Sequence, residues 1–542
     1  MIVARAVGKT LAELGVDHVF GVVGSGNFHV TNALIDGGAR FVAARHEGGA
    51  ATMADAYARM SDTVAALSVH QGPGLTNALT GIAEAAKSRT PLVALAADVT
   101  ETKSNFYVDQ DALATSVGAV AMRVESADEA VATAVRAYFT ARDERRTVVL
   151  NLPLTVQAAD APDALVPTQP RPADRPPDEA GLALIVEALG RAQRPVFIAG
   201  RGSRGARDAL VELGDACGAL LATSAVAKGL FRDNPWALDV SGGFATPLAA
   251  ELISGADLIV GWGCALNMWT TRHGKLIGPD ATLVQVDLDP AALGVHREIS
   301  FGVVGGVTAT ARAATHAIGD RAGPGYRSGD VRASIETRGR WRDVAYDDTS
   351  TAEHIDPRTL TIALDDMLPA ERVVSVDSGN FMGYPSMFLS VPDERGFCFT
   401  QAYQSIGLGL ATAIGAALAQ PDRLPVAALG DGGALMSVAE LDTVRRLGLP
   451  MVVVVYNDDA YGAEVHHFGP DGHDLSTVRF PSTDIAAIGR GFGLDAVTVR
   501  RAADLAAVRT WLDGPRATPL LIDAKVTAGR GSWWLEEAFR GH

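Results

Sequence analysis

Residues 427–461, AALGDGGALMSVAELDTVRRLGLPMVVVVYNDDAY, constrain the fold more than any other stretch of the chain. A short apolar run ends at Leu429, Gly430-Asp431-Gly432 interrupts it, residues 437–447 have helical spacing, and residues 451–456 are wholly apolar. Strand, glycine turn, helix and second strand in that order make a parallel β-α-β unit. Ligands of such units sit beyond the carboxyl ends of the strands. Both strands here run into oxygen-bearing side chains, Asp431 after the first and Asn457-Asp458-Asp459 after the second. Mg²⁺ takes hard oxygen ligands at about 2.1 Å, usually one or two carboxylates completed by water and substrate phosphate oxygens. The stretch therefore reads as the seat of a metal-bridged diphosphate, the bland alternative being a flavodoxin-like unit with acidic loops.

The rest of the chain has room for about three domains of ordinary size in its 542 residues. Residues 1–160 alternate apolar runs (19–23, 41–44, 64–69, 92–96, 147–152) with helical segments (28–35, 49–59, 77–86), the pattern of a doubly wound parallel sheet. Residues 157–179 are rich in Pro, Ala and Asp without periodicity, as expected of an extended linker. A second α/β pattern fills 181–320, and residues 321–353 are polar and carry the chain across to the last domain, 355–542, with strands expected at 373–376, 426–429, 452–456 and 520–524. The fold class is thus α/β with three doubly wound parallel-sheet domains, the first and third of one architecture.

Charge and composition narrow the partners. A net charge of −16 argues against nucleic acid, and no apolar run approaches the roughly 20 residues of a membrane span. The first residues, MIVARAVGKTLAELG, have the spacing of an amphipathic helix rather than a secretory leader, so a cytoplasmic location is expected. Cys217, Cys264 and Cys398 are scattered without metal spacing, which speaks against disulfides and zinc.

Gly430-Asp431-Gly432, a helix carrying Glu440-Leu441, the pair Leu449-Pro450, an apolar strand and Asn457-Asp458, 27 residues from Asp431 to Asp458, resemble the thiamine-diphosphate signature of the acetolactate synthase, benzoylformate decarboxylase and pyruvate decarboxylase superfamily. The resemblance spans essentially the whole chain. It implies pyrimidine-binding, central and diphosphate-binding domains in that order, with thiamine diphosphate and Mg²⁺ as cofactors. It also implies that Asp431, Asp458 and the carbonyl of Ala460 hold the metal, with Gly430, Gly432, Gly433, Tyr461 and Gly462 completing the cofactor seat. The chain departs from the family at Asp458, where Asn is usual and one negative charge is added.

Further residues follow from the same resemblance. Glu47, in RHEGGAATMADAYAR, stands where the family's Glu hydrogen-bonds N1′ of the aminopyrimidine; by itself it is also an ordinary helix-start carboxylate. Ile406, ahead of a glycine-spaced helix, matches the aliphatic that props the cofactor into its bent form, or is a core residue. Ser25 and His70 fall where benzoylformate decarboxylase has active-site Ser and His, although a His at a strand end is often structural. Glu464 is in register with a pyruvate decarboxylase Glu and is otherwise a solvated charge. Gln71, Ala463 and His467 are candidates for the substrate pocket. Gly200, Gly202 and Gly205 form a G-x-G-x-x-G run after a strand, but the next strand lacks an acidic ribose ligand, so FAD is admitted by the family and disfavoured by the residues.

The activity implied is decarboxylation of a small-molecule 2-oxo acid with transfer of the acyl carbanion to an aldehyde or ketone. The alternatives are release of an aldehyde and a non-catalytic binding protein. Joint retention of Glu47, Ile406 and Asp431 argues against the last. Because the family's Glu serves a cofactor held by another chain, a homodimer or homotetramer with interface sites is implied.

Overall fold

A computed structural model describes residues 1–162, 165–319 and 325–538. Three six-stranded sheets follow one another along the chain, and every strand pair is parallel. The first is built from β1 (His18–Gly21), β2 (Arg40–Ala43), β3 (Ala65–Val69), β4 (Leu92–Asp98), β5 (Val120–Arg123) and β6 (Thr147–Pro153), in the order β2-β1-β3-β4-β6-β5. The second contains β7 (Pro195–Ala199), β8 (Leu220–Thr223), β9 (Ala237–Val240), β10 (Leu258–Trp262), β11 (Thr282–Asp287) and β12 (Phe301–Val304), ordered β12-β11-β10-β7-β8-β9. The third comprises β13 (Arg372–Val376), β14 (Phe397–Phe399), β15 (Leu424–Gly430), β16 (Val452–Asn457), β17 (Asp495–Val499) and β18 (Leu520–Lys525), ordered β14-β13-β15-β16-β18-β17.

The first and third orders are identical once twelve is subtracted from the strand numbers of the third, so the shared architecture expected of these two domains is a shared topology. Central strands such as β4, β6, β16 and β18 are buried along their whole length, which is why they read as unbroken apolar runs. Strands at the sheet margins, β5, β14 and β17, were not expected from the sequence. They are short or half-buried and lack the apolar run that betrays a central strand. The polar stretch 321–353 also contains a helix, Gly329–Arg338; none of its residues is buried, so it has no apolar stripe to announce it.

The segment expected to be a linker is extended where described and is tied down by hydrogen bonds: Arg142 donates to the Gln169 carbonyl, Arg171 to the Asp62 carbonyl, and the Ala309 amide to Asp174. Among the described residues no helix is long and apolar enough to cross a membrane. The three cysteines are buried and free.

The first and third domains share one core. Helix Glu47–Ser61, rich in Ala and Gly, packs on helix Gly409–Ala419 of similar composition, and Ala50, Met53, Leu410 and Ile414 lie in a single buried cluster. The helices approach so closely that a Cβ on Gly415 would sit 2.2 Å from the Met53 carbonyl oxygen. Gly415→Val is expected to cost about 1–3 kcal/mol, as overpacking of a tight core does, whereas Gly491→Ala, at a helix position with open space around it, is expected to be neutral or mildly stabilising. Thermal or urea unfolding of the two variants compares the outcomes directly.

Candidate active site

The sheet order dictates where a ligand can lie. In a doubly wound sheet the crevice opens where neighbouring strands lead their connections to opposite faces. In the third sheet that point lies between β13 and β15, and the residues just beyond these strands are Asp377 and Asp431. Asp431 begins helix Asp431–Met436, is 7% exposed, and faces Asp458 beyond β16. Burial raises both carboxyl groups above the ordinary range, with the charge of Asp459 adding to it at Asp431 and the charge of Asp431 adding to it at Asp458. Two buried carboxyls in contact share a proton unless a cation takes its place. That donor set, two hard oxygens with room for non-protein oxygens, fits Mg²⁺. Among the described residues no group of three His, Cys, Asp or Glu side chains could cage a metal by itself, so a cation here would need ligands from the carbonyl of Ala460 and from a bound diphosphate.

The glycines around this pair are there for space. A Cβ on Gly462 would lie 2.3 Å from Asp458 Oδ2, one on Gly432 would lie 2.6 Å from the Tyr461 ring, and one on Gly433 would lie 2.2 Å from Asp377 Oδ2. The loop after β16 is fastened to 478–480: the Tyr461 amide donates to Val478, the Phe480 amide donates to Asp459, and the Tyr461 ring meets Phe480 at 4.9 Å. Asp459 takes a left-handed conformation at φ +52°, and its amide donates to Asn457 Oδ1. The resulting cleft of about 290 Å³ is lined by Asp431, Gly432, Asn457, Asp459 and Tyr461.

Asp377 is completely buried and accepts hydrogen bonds from the amides of Ser378, Gly407, Leu408 and Gly409. It holds the turn in which half-buried Ile406 stands, and burial pushes its carboxyl up to about 6. The helix Gly462–Phe468 follows, with Ala463 half-buried and with Glu464 and His467 exposed. Burial lowers the neighbouring His466. The carboxyl-terminal segment docks beside this helix: the Ser532 amide donates to Asn380 Oδ1 at 2.8 Å and the Trp534 indole donates to the Asn380 carbonyl at 3.0 Å.

In the first sheet the corresponding crevice lies between β1 and β3, and the loops beyond those strands carry Ser25 and His70. The structure brings them together, with Ser25 Oγ 3.3 Å from His70 Nε2. His70 Nδ1 lies 3.1 Å from the Gln71 carbonyl. A carbonyl only accepts, so Nδ1 carries a proton and, in the neutral ring, Nε2 is left to accept the Ser25 hydroxyl. Phe106 meets the His70 ring edge-on at 5.4 Å. Gln71 is buried with an unpartnered Oε1. Glu47 opens its helix, where the dipole favours a carboxylate, and accepts from Asn77 at 3.1 Å.

The two sets of residues do not meet within the chain: no first-domain residue lines the cleft over Asp431. They are linked instead through structure. Buried Glu440 accepts the amides of Arg45 and His46 at 3.0 and 3.1 Å, so the helix that follows the diphosphate turn also fixes the turn that launches Glu47. Asp377, Asn77 and this role of Glu440 were not drawn from the sequence. Asp377 could have been, since it follows a strand just as Asp431 does.

The glycine run of the central domain has a structural explanation of its own. A Cβ on Gly200 would lie 2.2 Å from the Gly263 carbonyl, and one on Gly202 would lie 2.8 Å from Gly263 Cα. These glycines let two backbone turns touch at the β7/β10 switch point. Beside them opens a cavity of about 470 Å³ whose walls include Arg59, Arg145, Arg201 and Arg204.

Comparison with known proteins agrees with this division. Residues 1–121 match the N-terminal TPP binding domain of thiamine pyrophosphate enzymes, residues 182–314 their central domain, and residues 377–524 their C-terminal TPP binding domain. A probable 2-ketoarginine decarboxylase of Pseudomonas aeruginosa is 30% identical over 92% of this chain and 89% of its own. The acetolactate synthase large subunit of Parasynechococcus marenigrum is 28% identical, covering 98% and 88%. The sulfoacetaldehyde acetyltransferase of Roseovarius nubinhibens is 26% identical, covering 100% and 94%. Matched in all three of its domains and along nearly its whole length, the chain belongs to the thiamine-diphosphate-dependent enzymes of the acetolactate synthase type.

Proposed function

We propose that this enzyme decarboxylates a 2-oxo acid in a Mg²⁺-dependent reaction and transfers the acyl unit to an aldehyde or ketone. The buried Asp431–Asp458 pair at the carboxyl ends of β15 and β16 carries the proposal, because it leaves a divalent cation bridged to a diphosphate as the natural occupant. Thiamine diphosphate, when bound, supplies a nucleophilic carbon that adds to the 2-oxo carbonyl and accepts the electron pair left by CO₂. In this reading Asp431, Asp458 and the Ala460 carbonyl would hold the metal, and Ile406 would support the cofactor. Glu47 holds a proton at N1′ of the pyrimidine, while Ser25 orients the substrate carboxylate. Gln71, Ala463 and His467 shape the space for the acceptor.

A second reading, release of an aldehyde, is favoured by the Ser25–His70 hydrogen bond, which provides a path for a proton to the product oxygen. Glu464 is the candidate proton donor at the reacting carbon. The relatives divide between these outcomes in their names, one a decarboxylase, one a synthase and one an acyltransferase.

We further propose that the active unit is at least a C₂ homodimer, in which Glu47 serves the cofactor held by its partner. The separation of the first-domain residues from the Asp431 cleft supports it.

Asp431→Ala is expected to weaken thiamine diphosphate binding by about 100-fold in isothermal titration with excess Mg²⁺, in line with the effect of losing a metal ligand or its support, while Asp458→Asn keeps affinity near that of the parent. Unchanged affinity in Asp431→Ala would remove the metal assignment. Mixing Glu47→Gln with Asp431→Ala protein is expected to restore part of the activity in hybrids, each dimer having one intact site; activity from a monomer in analytical ultracentrifugation rules the shared site out. For the acceptor, a panel of 2-oxo acids with and without aldehydes, analysed by mass spectrometry, is expected to show less free aldehyde with Glu464→Gln while substrate is still consumed. An unchanged product profile takes Glu464 out of the reaction.

A further inference from the structure

A cluster of three fully buried charges lies away from the cleft. Arg59 donates to both oxygens of Asp55, at 2.7 and 2.5 Å, and to Glu84 Oε1 at 2.8 Å, and all three side chains are at most 6% exposed. Two carboxylates thus share one guanidinium in the interior, an arrangement that desolvation makes costly unless every lone pair is used. The remaining capacity of the cluster is spent on the third domain. The third nitrogen of Arg59 donates to the carbonyl of Phe399 at 3.1 Å, and Glu84 accepts the amide of Ala402 on Oε1 at 3.0 Å and that of Tyr403 on Oε2 at 2.6 Å. Burial by itself would raise Glu84, yet Arg59 and these amides hold it below its ordinary range. Lys87, on the same helix as Glu84, stands 5.4 Å from the centre of the Tyr403 ring.

The stretch held in this way leads directly to Ile406. On the other side of Ile406, Asp377 accepts the amides of Gly407, Leu408 and Gly409. Residues 404–406 therefore span two carboxylate anchors, one from each domain, and Gln404 adopts φ +59° to make the span. Upstream, the third domain holds the chain as far as Thr400, whose hydroxyl meets that of Thr412 at 2.7 Å, and Glu84 takes over at residues 402 and 403.

We propose that Glu84, braced by Arg59 and Asp55, is a positioning residue that fixes where Ile406 stands between the two domains, and through it the seat offered to the cofactor. The inference rests on the reading of Ile406 as the cofactor's support. Its consequence is that the geometry of the diphosphate-domain half of the site is partly dictated by first-domain residues of the same chain.

Glu84→Gln is the informative substitution. It leaves Arg59 and Asp55 as a balanced pair, so no uncompensated charge is buried, but a carboxamide cannot accept from both loop amides as a carboxylate does. Hydrogen exchange is expected to accelerate at least 10-fold in a peptide covering residues 400–404 and to stay unchanged in helix Gly409–Ala419. Titration with thiamine diphosphate and excess Mg²⁺ is expected to show roughly 10-fold weaker binding, the 1.4 kcal/mol equivalent of a single lost hydrogen bond. Ser88→Ala, which removes only the 3.2 Å hydroxyl contact to the same Glu84 oxygen, is expected to change neither. Ile406→Ala separates the two levels of the argument: if it weakens cofactor binding and Glu84→Gln does not, the positioning role is wrong, and if Ile406→Ala has no effect, the reading of Ile406 falls and the inference with it. Should Glu84→Gln not fold, exchange in the parent decides, since the anchor requires the 402 and 403 amides to be protected without cofactor; exchange there at the rate of unstructured chain overturns the proposal.

Discussion

The packing of helix Glu47–Ser61 against helix Gly409–Ala419 is the contact on which the rest of the arrangement depends. Each of the two sheets carries candidate residues at its own switch point, and this helix pair fixes how the two sheets are related within the chain. Small residues make the close approach possible, with Gly415 against the Met53 carbonyl, and the contact is then surrounded by interactions that span the two domains. Glu440 grips the turn before Glu47 from one side. On the other, Arg59 and Glu84 grip the strand end and loop before Ile406. Dispersion and apolar burial supply adhesion between the helices but little direction; the charge-assisted bonds to backbone amides supply the direction. The first and third domains are joined by both kinds of contact.

The repeated topology explains why chemically unlike residues occupy like places. In the first sheet the loops beyond β1 and β3 deliver Ser25 and His70, and in the third sheet the strand ends of β13 and β15 deliver Asp377 and Asp431. One scaffold presents a hydrogen-bonding pair suited to a substrate, the other a carboxylate set suited to a cation and a backbone turn. The central sheet has a different strand order and its own switch point at β7 and β10. There the space is taken partly by the contact of Gly200 and Gly202 with Gly263 and partly by an arginine-lined cavity.

Much of this was legible in the sequence wherever function and local structure coincide. Asp431 and Asp458 are visible because each directly follows a buried strand, and buried parallel strands are the most conspicuous signals in the chain. Ser25 and His70 were picked out by the family resemblance of their loops rather than by any periodicity. Residues whose partners lie far along the chain were not legible: Glu84 meets Ala402 across 318 positions, and nothing local to GIAEA distinguishes a buried anchor from a surface carboxylate on an amphipathic helix. The G-x-G-x-x-G run shows the converse failure. A glycine pattern states that something comes close, and only the fold shows that Gly263 is one such neighbour. Marginal strands and the helix Gly329–Arg338 escaped because they bury too little to impose a periodicity.

In the reading proposed above, the balance between acyl transfer and aldehyde release rests on which proton donors stand near the reacting carbon, and the exposures of the two candidates differ. His70 is oriented from both sides, by the Gln71 carbonyl at Nδ1 and by Ser25 at Nε2, so its tautomer and direction are set before any substrate arrives. Glu464, at the start of a short helix, is exposed in the single chain and has no comparable partner holding it. A general acid works when its proton is aimed and its surroundings are dry enough to raise its affinity for that proton. His70 meets the first condition within one chain, whereas Glu464 depends on whatever covers helix Gly462–Phe468. If that cover is the first domain of a partner chain, as the proposed dimer requires, the surroundings of helix Gly462–Phe468 become a property of the interface.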